Sequence, residues 1–244
     1  MSTLFEELDY CPTPIGALTL RRRRDLKLNQ DVFEIRLGDE SLMTSLFTAS
    51  EIALARLGLA ALDDADAPTV VVGGLGLGYT ANAVLEGAPE ASLIVVEALA
   101  PVIEWHERGV LPLGTAVAVD PRCRLVQGDF FVMAATTDGF DPESPGRLFD
   151  LILVDIDHSP DALLNERSAT FYQPDGLLGV ARHLRPGGVF GLWSDALPDE
   201  AFLARLATVF AEAWAEPVTF HNPLQDRPFT QTVYLARTEQ GAAS

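Results

Sequence analysis

Three glycines and three acids, each at the end of a strand-like run, are the residues of this chain best suited to chemistry. Val70-Val71-Val72-Gly73 leads into Gly74-x-Gly76-x-Gly78. The run Ser92–Glu97 ends on Glu97, Cys123–Gln127 leads into Gly128-Asp129-Phe130, and Leu148–Asp155 ends on Asp155. A turn without side chains lets backbone N–H groups approach a ligand closely, and a helix N-terminus behind it favours polar or anionic groups. The glycine turn therefore reads as the entry to a nucleotide-shaped site. Glu97 lies 19 residues after Gly78, where one carboxylate, with two acceptor oxygens, can take both hydroxyls of a ribose. Asp129 and the adjoining backbone amide suit the exocyclic amine and ring nitrogen of adenine. Asp155 projects into the same crevice as a candidate base.

The elements that must hold these residues alternate. Helices are expected over Thr80–Glu86, Pro101–Arg108, a short stretch from Asp129, Gln173–Leu184 and Asp199–Ala215. Strands are expected at Thr69–Gly73, Ser92–Glu97, Cys123–Gln127, Leu148–Asp155, Val189–Ser194, Val218–His221 and Thr230–Ala236. Repeated β–α units imply an α/β fold with a mostly parallel sheet covered on both faces, which binds ligands at the carboxyl ends of its strands. Leu184-Arg185-Pro186-Gly187-Gly188 reads as a tight turn closing a helix. Before this region, Thr48–Leu62 reads as an apolar helix, broken by Asp63–Pro68. Residues 1–47 form a small N-terminal β extension, with strands at Ala17–Arg24, Val32–Leu37 and Ser41–Met43, and 48–244 the larger domain. The basic run Arg21–Arg24 reads as a solvated edge strand. The tail Thr238–Ser244 is expected to fray.

Composition narrows the partners. The 244 residues carry 17 Lys and Arg against 35 Asp and Glu, a net charge of −18. That surface repels nucleic acid and anionic membrane; it suits a cationic substrate, and it also serves solubility. No apolar run is long enough to span a membrane, and the acidic start Met1–Glu7 is unlike a secretion signal. Two cysteines, Cys11 and Cys123, and four scattered histidines give no disulfide framework and no metal spacing, so a cytoplasmic protein without a metal is expected.

Each strand-end acid also has a plainer reading: Asp129 fits as the N-cap of the next helix, and Glu97 and Asp155 as ordinary strand-end acids. A dinucleotide site is the competing ligand class, but its usual spacing is G-x-G-x-x-G. The spacing here is G-x-G-x-G, with Gly-Asp-Phe and Pro-Gly-Gly following where a methyltransferase-type domain has them.

From about Ala17 to Ala236 the chain resembles the class I S-adenosylmethionine-dependent transferases, and within them the spermidine synthase-like branch. The matching segments are the glycine turn, Val96-Glu97, Gln127-Gly128-Asp129, Asp150–Asp155, Phe171-Tyr172 and Arg185–Gly188. The resemblance implies a Rossmann-like seven-stranded sheet. It implies S-adenosylmethionine or its decarboxylated form as cofactor, held by Gly74, Gly76, Gly78, Glu97, Asp129, Phe130 and Asp155. Asp155 matches the first acid of the D-x-x-D motif, which helps take the proton from an attacking amine. Three positions depart from the pattern. The second acid of that motif falls on His158, the acid of the glycine turn on Leu77, and the tyrosine of the Y-H-E segment on Ala49, in Ala49-Ser50-Glu51. His158, with a reference pKa near neutrality, is a candidate replacement base; the plainer reading is a loop histidine.

Those departures favour methyl transfer to a small acceptor such as an amine, with Tyr79, Tyr172 and Trp193 as candidate acceptor contacts. Polyamine aminopropyl transfer is the alternative, and a non-catalytic adenosyl-binding protein is the reading from another class. A homodimer through the N-terminal strands is an expectation by analogy.

Overall fold

The structure is a computed structural model that describes residues 4–13, 15–63 and 66–241. Residues 1–3, at the start read above as unlike a secretion signal, residues 64–65 of the expected break and 242–244 of the expected frayed tail lie outside the described residues.

Two sheets are present. The first is antiparallel, with β1 (Phe5–Thr13), β2 (Gly16–Asp25), β3 (Gln30–Leu37) and β4 (Glu40–Thr44) paired in chain order. β1 was not expected from the sequence, because a register shift between Glu7 and Asp9 interrupts the alternation that would mark it. The basic run also needs correcting: β2 is an interior strand. Arg21 and Arg22 pair with Glu7 and Glu6 of β1, while Arg23 and Arg24 pair with Glu34 and Asp31 of β3. The four arginines are thus matched by acids on both flanking strands.

After α1 (Ala49–Ala60) comes the second sheet, built from β5 (Thr69–Gly73), β6 (Ser92–Glu97), β7 (Cys123–Gln127), β8 (Phe149–Val154), β9 (Leu184–Ser194), β10 (Glu212–Asn222) and β11 (Arg227–Arg237). Its order is β10-β11-β9-β8-β5-β6-β7. Pairings are parallel from β7 through β9, and β11 is antiparallel to both of its neighbours. This is the expected Rossmann-like, seven-stranded, mostly parallel sheet, with the separate small β-sheet ahead of it.

The central strands are apolar on both faces because both are covered. Val70, Val72, Leu93, Val95, Leu151 and Leu153 face α1, α2 (Tyr79–Gly87) and α3 (Ala100–Glu107). Val71, Ile94, Val96, Ile152 and Val154 face α4 (Phe130–Ala135), α5 (Pro174–Ala181) and α6 (Glu200–Ala207).

The C-terminal part departs from the sequence expectations in three ways. α6 ends at Ala207, and Glu212–Ala215, expected as helix, belongs to β10 because Trp214 pairs opposite Leu235 of β11. Pairing here overrides the helix-forming content of the segment. The Arg-Pro-Gly-Gly stretch lies inside β9 as a bulge, with Gly187 at φ +76°. The tail to residue 241 is tied down: Gly187 N–H donates to the Glu239 carbonyl and Thr238 N–H to the Gly188 carbonyl. Among the described residues no helix is long and apolar enough to cross a membrane.

The chain runs from β5 outward through β6 to β7, then returns to β8 on the other side of β5. The crevice of such a sheet opens where these directions diverge, at the ends of β5 and β8. Gly73 pairs with Val154 there, which brings Gly74 beside Asp155.

Candidate functional site

A cavity of about 930 Å³ occupies this crevice, lined by Gly74, Gly76, Glu97, Asp129, Asp155 and Trp193 among others. Gly74, Gly76 and Gly78 have φ of +91°, +47° and +88°, a region that L side chains rarely adopt. A Cβ on Gly74 would sit on the Asp155 carbonyl, and one on Gly76 would meet the Met43 sulfur of β4 at 2.7 Å. Gly78 faces away from the cavity and packs against the His106 ring. His106 Nε2 lies 3.0 Å from the Gly76 carbonyl oxygen, and burial lowers the pKa of the ring. The neutral imidazole thus donates to Gly76 and props the turn from behind.

Glu97 is held at the end of β6 by the Leu75 and Leu99 N–H groups, one on each carboxylate oxygen, at 3.0 and 2.8 Å. Burial pushes its pKa up and these backbone bonds pull against that. Each oxygen keeps a further acceptor position, which is what a ribose diol requires. Asp129 has both roles the sequence allowed. Its Oδ1 caps α4 by accepting from Phe131 and Val132 N–H, while the residue lines the cavity. The Phe130 ring is spent on packing: it fills the space beside Gly73 and stacks on Phe140 at 4.7 Å, which leaves its backbone as the part suited to a ligand.

Asp155 accepts from Thr80 Oγ at 2.6 Å, and burial pushes its pKa to about 6. Glu51, on the first turn of α1, lines the same cavity. Burial and then the Asp155 charge push its pKa to about 8. These two carboxyls titrate as a pair that holds a proton near neutrality. The folded chain therefore keeps protons that the unfolded chain releases, so this source of stability is full below about pH 4 and lost as pH rises through about 8. Glu51→Gln should accordingly be about 2 kcal/mol more stable than wild type near about pH 9 and no more stable near about pH 4. Chemical denaturation at the two pH values checks it.

The D-x-x-D segment is arranged differently from its sequence reading. Asp157, between Asp155 and His158, is buried and anchors the following loop. It accepts from Leu164 N–H, Ser168 Oγ and Tyr172 Oη at 2.7–3.0 Å. Tyr172, a candidate acceptor contact, is 1% exposed with its hydroxyl committed to Asp157, so it is removed from the cavity wall. Tyr172→Phe should cost about 1–2 kcal/mol in thermal stability and leave ligand contacts untouched. Tyr79 opens α2 and is likewise outside the lining. His158 does line the cavity, where its Nε2 meets Glu40 of β4 at 3.2 Å. Trp193 lines it too, donating Nε1–H to Ser50 Oγ at 2.8 Å. Leu77 is fully buried in the core, its N–H on the Met43 sulfur.

Of the residues named from the sequence, the cavity lining brings together Gly74, Gly76, Glu97, Asp129, Phe130, Asp155, His158 and Trp193, and leaves out Gly78, Tyr79 and Tyr172. The sequence reading did not name Glu51 as a site residue, although Glu51 falls on the acid of the Y-H-E segment in Ala49-Ser50-Glu51. Among the described residues no cluster of His, Cys, Asp and Glu is arranged to hold a metal ion.

No protein-family model matches the chain, and no curated protein matches it in sequence. Solved structures do match in shape. A spermidine synthase in complex with the transition-state analogue AdoDATO superposes with a TM-score of 0.72 at 17% identity, over 96% of this chain and 74% of that one. The chain has the spermidine synthase fold. The enzyme from Thermotoga maritima gives 0.70 at 16% identity over 96% and 73%. Human methyltransferase-like protein 13 in complex with SAH gives 0.58 at 19% identity, over 80% of this chain and 86% of its own. The difference in coverage of this chain between the two kinds of neighbour is about the size of the N-terminal sheet. At these identities the likeness is one of fold: a class I S-adenosylmethionine-dependent transferase fold of the spermidine synthase type.

Proposed function

We propose that this chain transfers an alkyl group from an adenosyl-sulfonium donor to the nitrogen of a cationic amine, with aminopropyl transfer from decarboxylated S-adenosylmethionine as the first reading. The observation that carries it is a pair of carboxyls, buried Glu51 and half-buried Asp155, lining the same cavity as Glu97 and Asp129. Buried acids are costly until a cation or a proton joins them, and an alkylammonium acceptor supplies both.

The lining residues support such a donor. Glu97 offers acceptor positions for the ribose, Asp129 and the backbone of Phe130 are the candidate partners of adenine, and Gly74 and Gly76 bring bare backbone to the cavity wall in a conformation that L side chains rarely adopt. Such a donor supplies an electrophilic carbon on a positively charged sulfur and leaves as a neutral thioether. Asp155 takes the proton that an alkylammonium must lose before its nitrogen carries a lone pair. Thr80 fixes the orientation of that carboxylate, and Trp193 gives the acceptor an apolar wall.

One observation favours the second reading, methyl transfer from S-adenosylmethionine. Where the resemblance puts a polyamine-handling acid in the glycine turn, this chain has Leu77, fully buried.

Incubation with each donor and a panel of amines including putrescine, followed by mass spectrometry of the nucleoside product, tests the proposal. Methylthioadenosine with an aminopropylated amine is the expected result. S-adenosylhomocysteine with a methylated amine establishes the second reading instead. Absence of both thioethers overturns the assignment as a transferase.

A further inference from the structure

A chain of four polar side chains runs from the cavity to the surface, and its bonds have a direction. Asp195 follows β9 and is exposed; it accepts from Gln231 Nε2 at 2.6 Å. A carboxylate only accepts, so the amide of Gln231 must turn its NH2 toward Asp195 and its oxygen toward Ser50. Gln231 Oε1 lies 2.5 Å from Ser50 Oγ. Two oxygens at that distance need a proton between them, and only the serine hydroxyl has one to give. Ser50 is completely buried and has a single O–H. Having donated to Gln231, it has none left for Glu51, whose Oε2 lies 2.9 Å away. The Trp193 N–H takes one lone pair of Ser50 Oγ; the other must accept from the carboxyl. Every atom is then satisfied in one arrangement: Glu51 donates to Ser50, Ser50 to Gln231, and Gln231 to Asp195.

With Glu51 ionised, no arrangement satisfies all four. Ser50 would have to turn its hydroxyl to Glu51, which leaves its oxygen against the Gln231 oxygen with no proton between them. Such a buried mismatch costs the desolvation of an unpaired acceptor.

We propose that Asp195, acting through Gln231 and Ser50, holds a proton on Glu51 and so leaves Asp155 as the charged base of the cavity. Ser50, Gln231 and Asp195 are positioning residues, joining α1, β11 and the end of β9. Among the described residues, the charged and titratable groups that act on Glu51 are Asp155 just after β8, Asp195 just after β9 and Tyr79 at the start of α2; none of these is a cation. A neutral Glu51 spares Asp155 the repulsion of a second charge. The part about Asp155 rests on the function proposed above; the proton on Glu51 does not.

Infrared difference titration of the free protein tests this without donor or acceptor, so its outcome is separate from whether transfer occurs. The C=O stretch of a protonated carboxylic acid should be present at neutral pH in wild type and lost in Glu51→Gln. Gln231→Met keeps the Asp195 charge but breaks the relay, and should move the midpoint of that band at least about one unit lower, a tenfold weaker hold on the proton. Asp195→Asn lets the amide of Gln231 reverse, and should move it in the same direction. Absence of a Glu51 band at neutral pH overturns the proposal. An unchanged midpoint in Gln231→Met, with Asp195→Asn shifted, also overturns it by reducing the effect to the Asp195 charge alone.

Discussion

Gly74→Ala is expected to destabilise the protein by at least about 4 kcal/mol, lowering Tm by roughly 8–16 °C, and to abolish donor binding. Two effects combine. A φ of +91° costs an alanine about 1–3 kcal/mol in backbone strain. The new Cβ would also occupy the position of the Asp155 carbonyl oxygen. Relief requires β5 and β8 to separate at their carboxyl ends, where the backbone bond from Asp155 N–H to the Gly73 carbonyl closes the crevice at 2.8 Å. Gly114→Ala isolates the first effect, since Gly114 has φ +60° and nothing within 4 Å of a Cβ. It should cost only about 1 kcal/mol. Thermal unfolding of the two variants side by side, with calorimetric titration of donor, gives the comparison. Equal losses in both would mean that the close approach of Gly74 to Asp155 carries no energy.

Asp155→Asn is expected to lower turnover about 10²–10⁴-fold while donor affinity stays within about threefold. Asparagine keeps the shape and accepts the Thr80 hydroxyl as the carboxylate does, so the crevice should stay intact. It removes the base. Because burial puts the Asp155 carboxyl at about 6, the base is ready above that pH and disabled below it. The acid limb of kcat/KM in wild type should therefore fall through about 6, and the residual activity of Asp155→Asn should lack that limb. A full-speed variant, or an unchanged acid limb, would remove Asp155 from the chemistry.

Much of the sheet was legible because its code is local. Val70-Val71-Val72 and Ile152-Leu153-Val154 are unbroken apolar runs, and the bounds of β5, β6 and β7 are those read from the sequence. Glu97, Asp129 and Asp155 were legible as site candidates because a strand end fixes where its last side chain lies. The parts not legible depend on distant partners. Ser50 and Gln231 are 181 residues apart, and nothing near Glu51 in sequence shows that the two are joined. Tyr172 looked available for an acceptor until the fold set it on Asp157. The segment after Ala207 reads as helix in isolation and becomes strand only because Leu235 lies opposite Trp214. β1 was hidden by its own bulge, and the arginines of β2 by acids on strands whose order no local pattern states.

The comparison with solved structures fixes the fold and leaves the ligand to the residues. The proposed function requires that the crevice between β5 and β8 hold an adenosyl thioether or sulfonium through Glu97 and Asp129. Calorimetric titration of the full chain with methylthioadenosine, both forms of S-adenosylmethionine and NAD tests that claim most directly. Saturable binding of methylthioadenosine and of at least one sulfonium donor is the expected result. That binding should be weakened about 10–100-fold in Glu97→Ala, the worth of hydrogen bonds to a buried charge. Binding of NAD alone, or adenosyl-ligand affinity unchanged in both Glu97→Ala and Asp129→Ala, would contradict it.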